Sequence, residues 1–97
     1  MAARNTTILI PQRVWTELTA SDVTAATWCN KGGSTIWITA TAGTTPTSGD
    51  RSGAIPAAPN VITVSSFTLA LLFPGVTGAV RIWAWAEIPT ECFISHA

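Results

Sequence analysis

Charged residues are scarce in this sequence of 97 residues, which carries five basic and five acidic side chains and no net charge. The charged fraction is 10%, against roughly 25% in ordinary soluble domains. A chain with so few charges is only weakly repelled by other proteins, so association is favoured. We therefore expect its working state to be docked on another protein surface.

A basic surface is also absent. The five basic residues are scattered along the chain, at Arg4, Arg13, Lys31, Arg51 and Arg81. Proteins that bind nucleic acids concentrate such residues on one face, where they displace counterions from the phosphates. The spacing therefore excludes nucleic acid from the expected partners.

Side chains that carry catalysis or bind metals are equally few. The single histidine, His96, stands next to the last residue, where we expect a solvated tail with no group to orient the ring. No CxxC or HxxH spacing occurs, and the acidic residues form no compact calcium loop. Asp50 and Arg51 are expected to form a local surface pair. The sequence predicts no enzyme activity, no cofactor and no metal site.

Long apolar runs are missing too. The first five residues lack the apolar stretch of a signal peptide, and the run near 69–76 is short and interrupted by Pro74 and Gly75. We expect no membrane partner and synthesis in a host cytoplasm, where Cys29 and Cys92 would be reduced. After release from the cell they can form one intrachain or two interchain disulfides. The alternative is that both are small buried apolar residues.

Short segments rich in Thr, Val, Ile and Trp dominate the rest, and turn residues separate them. Strands are predicted at 6–10, 13–18, 23–29, 34–41, 61–64, 67–73, 78–88 and 90–95. The turn at 30–33 (Asn-Lys-Gly-Gly) predicts a hairpin between the third and fourth strands. For 67–73, a strand is favoured over one helical turn. The sequence predicts one all-β domain over residues 1–97, an antiparallel sandwich or a jelly-roll-like barrel.

A long segment at about 42–60 interrupts these strands. It is rich in Gly, Pro and Thr and has room for a short strand near 54–55. Loops of this length are uncommon in compact domains and are often functional or flexible. Two alternatives stay open, a solvated loop and an arm that reaches a neighbouring subunit and orders on docking.

Five tryptophans are the most informative residues. Trp83 and Trp85 lie two apart on a strand and therefore share one face with Arg81, while Trp37 lies on a Trp-Thr face of its own strand. These rings are expected to be core, subunit interface or a platform for sugars. Arg81 is expected to stack on Trp83, to pair with Glu87 or a neighbour, or to extend into solvent. We take Trp37, Arg81, Trp83 and Trp85 as the candidate contact residues.

Several short motifs together resemble a group of phage proteins. They are Val14-Trp15-Thr16-Glu17-Leu18, Asn30-Lys31-Gly32-Gly33, Ile36-Trp37-Ile38, Ala42-Gly43-Thr44-Thr45-Pro46, Leu72-Phe73-Pro74-Gly75-Val76 and Arg81-Ile82-Trp83-Ala84-Trp85. The sequence resembles small accessory proteins of the tailed-phage virion, which act as capsid decoration (cement) proteins, neck or collar components, or fibre bases. The resemblance implies a β-sandwich or jelly-roll-like domain present in many copies, with no catalytic or ligand-binding residues.

From the composition and the resemblance together we expect a decoration subunit on the outer surface of the virion. Its partner would be the major capsid protein or another virion structural protein, and it would be a homo-oligomer, with a trimer as the expected form. The alternatives are a neck, tail or fibre component, or a tip module that recognises a receptor or glycan.

Overall fold

The computed structural model describes residues 3–47, 50–64 and 66–97, which form eight strands and one helical turn. In chain order these are β1 (Arg4–Ile10), β2 (Thr16–Glu17), β3 (Thr27–Asn30), β4 (Ile36–Thr41), β5 (Ile55–Ala57), β6 (Ile62–Thr63), α1 (Leu69–Leu72), β7 (Arg81–Ala86) and β8 (Thr90–His96). Two four-stranded sheets have the orders β1-β8-β3-β6 and β2-β7-β4-β5. Neighbouring strands in both are antiparallel, which confirms the predicted all-β sandwich.

The chain changes sheet at almost every connection, and only β4 and β5 are consecutive neighbours in one sheet. The hairpin predicted around residues 30–33 is therefore wrong, because β3 and β4 belong to opposite sheets. The reason lies in Asn30, whose buried amide nitrogen donates to the carbonyl oxygens of Ser34 (2.6 Å) and Ala57 (3.0 Å). These bonds tie the turn to β5 and carry the chain across the sandwich.

The core lies between the two sheets and follows the predicted alternation. Ile36, Ile38 and Ala40 of β4 face it, as do alternate residues of β7, while the residues between them point outward. Its buried members are Ile10, Leu18, Val23, Ala26, Trp28, Ile36, Ile38, Ala40, Leu69, Phe73, Ile82, Ala84, Ala86, Cys92 and Ile94. The burial of this apolar surface is the main force that holds the sheets together.

The strand predicted at 67–73 is wrong, since this segment forms the helical turn α1. Thr68 caps the turn through its hydroxyl, which accepts a hydrogen bond from the backbone N–H of Leu71. Leu69 and Phe73, four residues apart, are both buried, whereas Leu71 points to solvent. A strand would have placed all three on one face, so the helical spacing buries two and exposes the third.

The solvated tail predicted for His96 is also wrong. His96 belongs to β8, the strand between β1 and β3, and only 7% of its surface is exposed. Its Nε2 accepts a hydrogen bond from the backbone N–H of Ala20 (3.1 Å), so the proton lies on Nδ1, 3.0 Å from the carbonyl oxygen of Ala97. The ring therefore ties the end of β8 to the segment after β2.

The long segment contains one strand, β5, at the place where a short strand was predicted. Residues 48 and 49 of the predicted loop lie outside the described residues, as do residues 1, 2 and 65. Thr47 and residues 51–54 contact the outer face of the second sheet, as described below.

Candidate docking surfaces

A cluster of aromatic rings covers the outer face of the second sheet. Trp15, Trp83 and Trp85 are 8%, 8% and 4% exposed, and Trp37 and Ala54 pack against them. Trp85 lies opposite Trp37 in the pairing of β7 with β4. The candidates Trp83 and Trp85 share one face of β7, as predicted, and the pairing with β4 adds Trp37 to that face, but Trp83 and Trp85 are buried within the chain itself.

The cover of this tryptophan cluster is the chain's own long loop. The indole nitrogen of Trp15 donates to the carbonyl oxygen of Thr47 (3.1 Å). The hydroxyl of Thr39 donates to the carbonyl oxygen of Gly53 (3.1 Å). A further bond joins the Trp83 indole nitrogen to the Thr41 hydroxyl at 2.9 Å. In this chain, Thr47 and residues 51–54 therefore fold back onto their own sheet.

Arg51 closes the edge of the tryptophan cluster. Its guanidinium carbon lies 4.3 Å from the centre of the Trp85 ring and 5.6 Å from that of Trp37, in cation–π geometry. Glu87 lies 3.8 Å from Arg51 and also accepts a hydrogen bond from Nε of Arg13 (2.9 Å). Because these ion pairs are exposed, each contributes little beyond orienting the side chains.

The local pair predicted between Asp50 and Arg51 is wrong. The Asp50 carboxylate instead accepts hydrogen bonds from the hydroxyl (2.7 Å) and the backbone N–H (3.0 Å) of Ser52, which lower the pKa of Asp50. This turn directs Arg51 towards the Trp85 and Trp37 rings. The long loop, which has no strand periodicity, therefore supplies the guanidinium that stacks on the tryptophan cluster.

Arg81 makes neither of the intramolecular contacts predicted for it. It binds Glu17 (2.8 Å) and Asp22 (2.7 Å), and the hydrogen bonds to these two carboxylates raise the pKa of Arg81. It does not stack on Trp83, and Glu87 pairs with Arg13 and Arg51 instead. Arg81 therefore holds β7 to β2 and to the segment that follows β2.

The two cysteines are free and lie on neighbouring strands, β3 and β8. Cys29 stands opposite Phe93, and Cys92 stands opposite Asn30. Adjacent residues of a strand point to opposite faces, so the Cys92 thiol faces the core and the Cys29 thiol faces outward. Of the alternatives open for these cysteines, the intrachain disulfide is not formed in this structure, where the two thiols lie on opposite faces. Burial raises the pKa of Cys92 to about 12.

A second exposed apolar surface lies on and around β6 and α1. We call it the apolar segment, and it consists of Val61, Ile62, Val64, Phe67 and Leu71, which are 43–68% exposed. A hydrogen bond from the backbone N–H of Phe67 to the carbonyl oxygen of Val64 (3.2 Å) links its two halves. Large apolar side chains concentrated in this way on a surface are typical of protein interaction sites.

Sequence reasoning missed the apolar segment because it assigned these residues to two ordinary strands. One signal was present, since residues 52–80 contain no charged side chain. A solvated surface of that length normally includes charges, whereas the centres of interfaces are depleted of them.

Within the described ranges no group of three metal-binding side chains occurs, and no helix is long and apolar enough to cross a membrane. Comparisons of the chain with protein-family models, with curated proteins and with solved structures find no match.

Proposed function

We propose that this chain is a structural subunit of a tailed-phage particle that docks through the apolar segment onto a virion protein. The decoration (cement) role on the major capsid protein is the form that we favour. The observation that carries the proposal is the exposure of five large apolar side chains on a stretch without charges.

The energetics of the apolar segment support docking. Fully burying a large apolar side chain is worth roughly 1.5–3 kcal/mol, so a half-exposed one contributes about 1 kcal/mol when a partner covers it. Five of them together offset a substantial part of the cost of association, which is about 4–15 kcal/mol. No charge on the segment has to lose its hydration, because residues 52–80 carry none.

The tryptophan cluster supports docking in a different way. Because the loop and Arg51 cover its rings, the second sheet is closed on its outer side. A docked subunit needs a rigid body behind its contact surface, so that little order is lost on binding. In this proposal the tryptophans stiffen the domain, and the apolar segment makes the contact.

The test is the composition of particles. Tailed-phage particles from the strain that carries the gene are purified and analysed by mass spectrometry, and the gene is then replaced by the double variant F67D/L71D. Phe67 and Leu71 are exposed, so the variant is expected to fold, as checked by circular dichroism, and to be lost from particles by at least tenfold. V14D, an exposed apolar residue on another surface, is the matched control and should stay bound.

Absence of the wild-type chain from purified particles would contradict the proposal. So would retention of the folded F67D/L71D variant at the wild-type level. Immunogold labelling of intact particles then places the subunit on the head, as the decoration role requires, or on the neck, tail or fibres.

A further inference from the structure

The four sheet edges are unequal. Three of the edge strands are poorly suited to pairing with a further strand, since β2 and β6 are two residues long and β5 contains Pro56. The fourth, β1, has seven residues without proline, and its one charge, Arg4, donates to the carbonyl oxygen of Leu18 at 3.0 Å. Thr6 on its inner side is still exposed, so the edge is accessible.

The register shows which backbone groups β1 offers. The N–H of Lys31 donates to the carbonyl oxygen of Glu91 (2.9 Å), so Glu91 directs its backbone groups towards β3. Leu9 stands opposite Glu91 on the other side of β8 and therefore directs its own groups away from the sheet. The same holds at every second residue, so Asn5, Thr7 and Leu9 present their N–H and C=O groups outward.

No backbone group among the described residues pairs with these outward groups of Asn5, Thr7 and Leu9. The three residues are evenly spaced, and Thr7 is the middle one. A second copy that approaches antiparallel, with a two-fold axis at Thr7, places Thr7 opposite Thr7 and Asn5 opposite Leu9. Each such pair exchanges two hydrogen bonds, about six in total.

We propose that two copies of this chain pair antiparallel through β1, with Thr7 on the two-fold axis, and form one continuous eight-stranded sheet. A second copy fits because the donors and acceptors of this edge are complementary to themselves under a two-fold rotation. Threonine opposite threonine is a favourable cross-strand pair, and a chain of zero net charge approaches its copy without repulsion.

This pairing differs from the trimer expected from the sequence, and it is independent of the proposed docking function. It uses β1 at one edge of the first sheet, whereas the apolar segment lies at the β6 edge and on α1. Failure of one proposal therefore leaves the other unaffected.

The test uses a charge pair at the axis. Nζ of Lys31 donates to the Thr7 hydroxyl within the chain (3.1 Å), so both variants are made in a K31A background. There T7K places lysine opposite lysine and T7E places glutamate opposite glutamate, so each variant alone should be monomeric by light scattering at concentrations where the K31A parent is dimeric. An equal mixture of the two should restore the dimer, because lysine then faces glutamate. T77K, at an exposed loop position, is the matched control and should dimerise like the wild type.

Amide hydrogen exchange provides a second readout that needs no variant. The amides of Asn5, Thr7 and Leu9 should exchange more slowly as the wild-type concentration rises, while the exposed amide of Thr77 should not change. A wild type that stays monomeric at millimolar concentration overturns the proposal, as do single variants that still dimerise. A mixture of T7K and T7E that fails to associate while both are folded overturns the two-fold register.

Discussion

Cys29 and Cys92 illustrate how strongly the surroundings of a residue decide its chemistry. They lie on neighbouring strands, but one thiol is half-exposed and the other is fully buried among apolar side chains. Since the thiolate is the reactive form and burial disfavours it, Cys92 is held as the neutral thiol. Only Cys29 is then available for reaction in the folded chain.

The pKa of Cys92 predicts a loss of stability in alkali. In the folded chain this pKa is raised to about 12, above the value of about 8.5 expected after unfolding. The contribution of the neutral Cys92 thiol to the free energy of unfolding is therefore complete below about pH 8.5. Above that pH it falls by roughly 1.4 kcal/mol per pH unit, until the thiol of the folded chain itself ionises near pH 12.

Urea unfolding of the wild type and of C92A across this pH range measures the effect. C92A lacks the titrating thiol but keeps Cys29. The difference in free energy of unfolding between the wild type and C92A should therefore shrink as the pH rises, because only the wild type loses stability through Cys92. Two parallel pH profiles would show that Cys92 does not titrate with the shifted pKa.

Arg51 and Arg81 show that the partners of a single charged side chain were not predictable from the sequence. The sequence placed Arg81 on the same face as Trp83 and Trp85, and this is correct. It could not show that Glu17 and Asp22 would reach Arg81 first, because the pairing of β2 with β7 brings them together. Nor could it show that Arg51 would stack on Trp85, because this contact depends on how the long loop packs.

Among the structural elements, the turn between β3 and β4 is tightly packed at Gly32. The backbone N–H of Gly32 donates to the side-chain oxygen of Asn30 (2.9 Å), and its α-carbon faces the buried Thr90. A side chain at Gly32 would collide with the Thr90 hydroxyl, whereas one at Gly33 would meet open space. The two adjacent glycines therefore differ in what they tolerate.

We expect G32A to lower the free energy of unfolding by about 1–3 kcal/mol, the usual cost of overpacking a tight site. G33A should change it by less than about 0.5 kcal/mol. Thermal and urea denaturation of both variants measures the difference, and equal stability of G32A and the wild type would contradict the packing at Thr90.

The same turn shows why part of the element order could be predicted and part could not. Apolar alternation located β4 and β7 and assigned their inner faces correctly, because that pattern depends only on neighbouring residues. It does not report which sheet a strand joins, and the bond from Asn30 to Ala57 spans 27 residues. At α1, the apolar run fits both the two-residue period of a strand and the 3.6-residue period of a helix, and the helix cap at Thr68 favours the helix.

The whole molecule has two apolar layers, the core between the sheets and the tryptophan cluster outside the second sheet. The sequence identified the shared face of Trp83 and Trp85 but neither the addition of Trp37 nor the cover of that face. The cover comes from a Gly/Pro-rich segment without strand periodicity, and such segments give no local indication of where they pack. The exposed apolar segment was signalled only by the absence of charge over residues 52–80, which does not show which of its apolar side chains stay outside the core.

The burial of the tryptophan cluster predicts that its rings contribute to the stability of the whole domain. W85A should lower the free energy of unfolding by roughly 3–5 kcal/mol, a large fraction of the 5–15 kcal/mol typical of small domains. L71A, at an exposed position on α1, is the matched control and should cost less than about 0.5 kcal/mol. Far-ultraviolet circular dichroism with urea titration measures both, and a W85A variant as stable as L71A would show that the ring is not part of a closed layer.

The sheet order has a consequence for synthesis of the chain. β7 lies between β2 and β4, and β8 lies between β1 and β3, so the last two of these strands to be synthesised each hold an interior position in one sheet. Until they emerge, β1 and β2 have no neighbouring strand to pair with, and Trp28, Ile36 and Ile38 have no closed core to enter. Folding of this domain on a ribosome therefore waits for β7 and β8, and a ribosome that stalls before Thr90 leaves a polypeptide with an incomplete core and few charges, a natural substrate for chaperones.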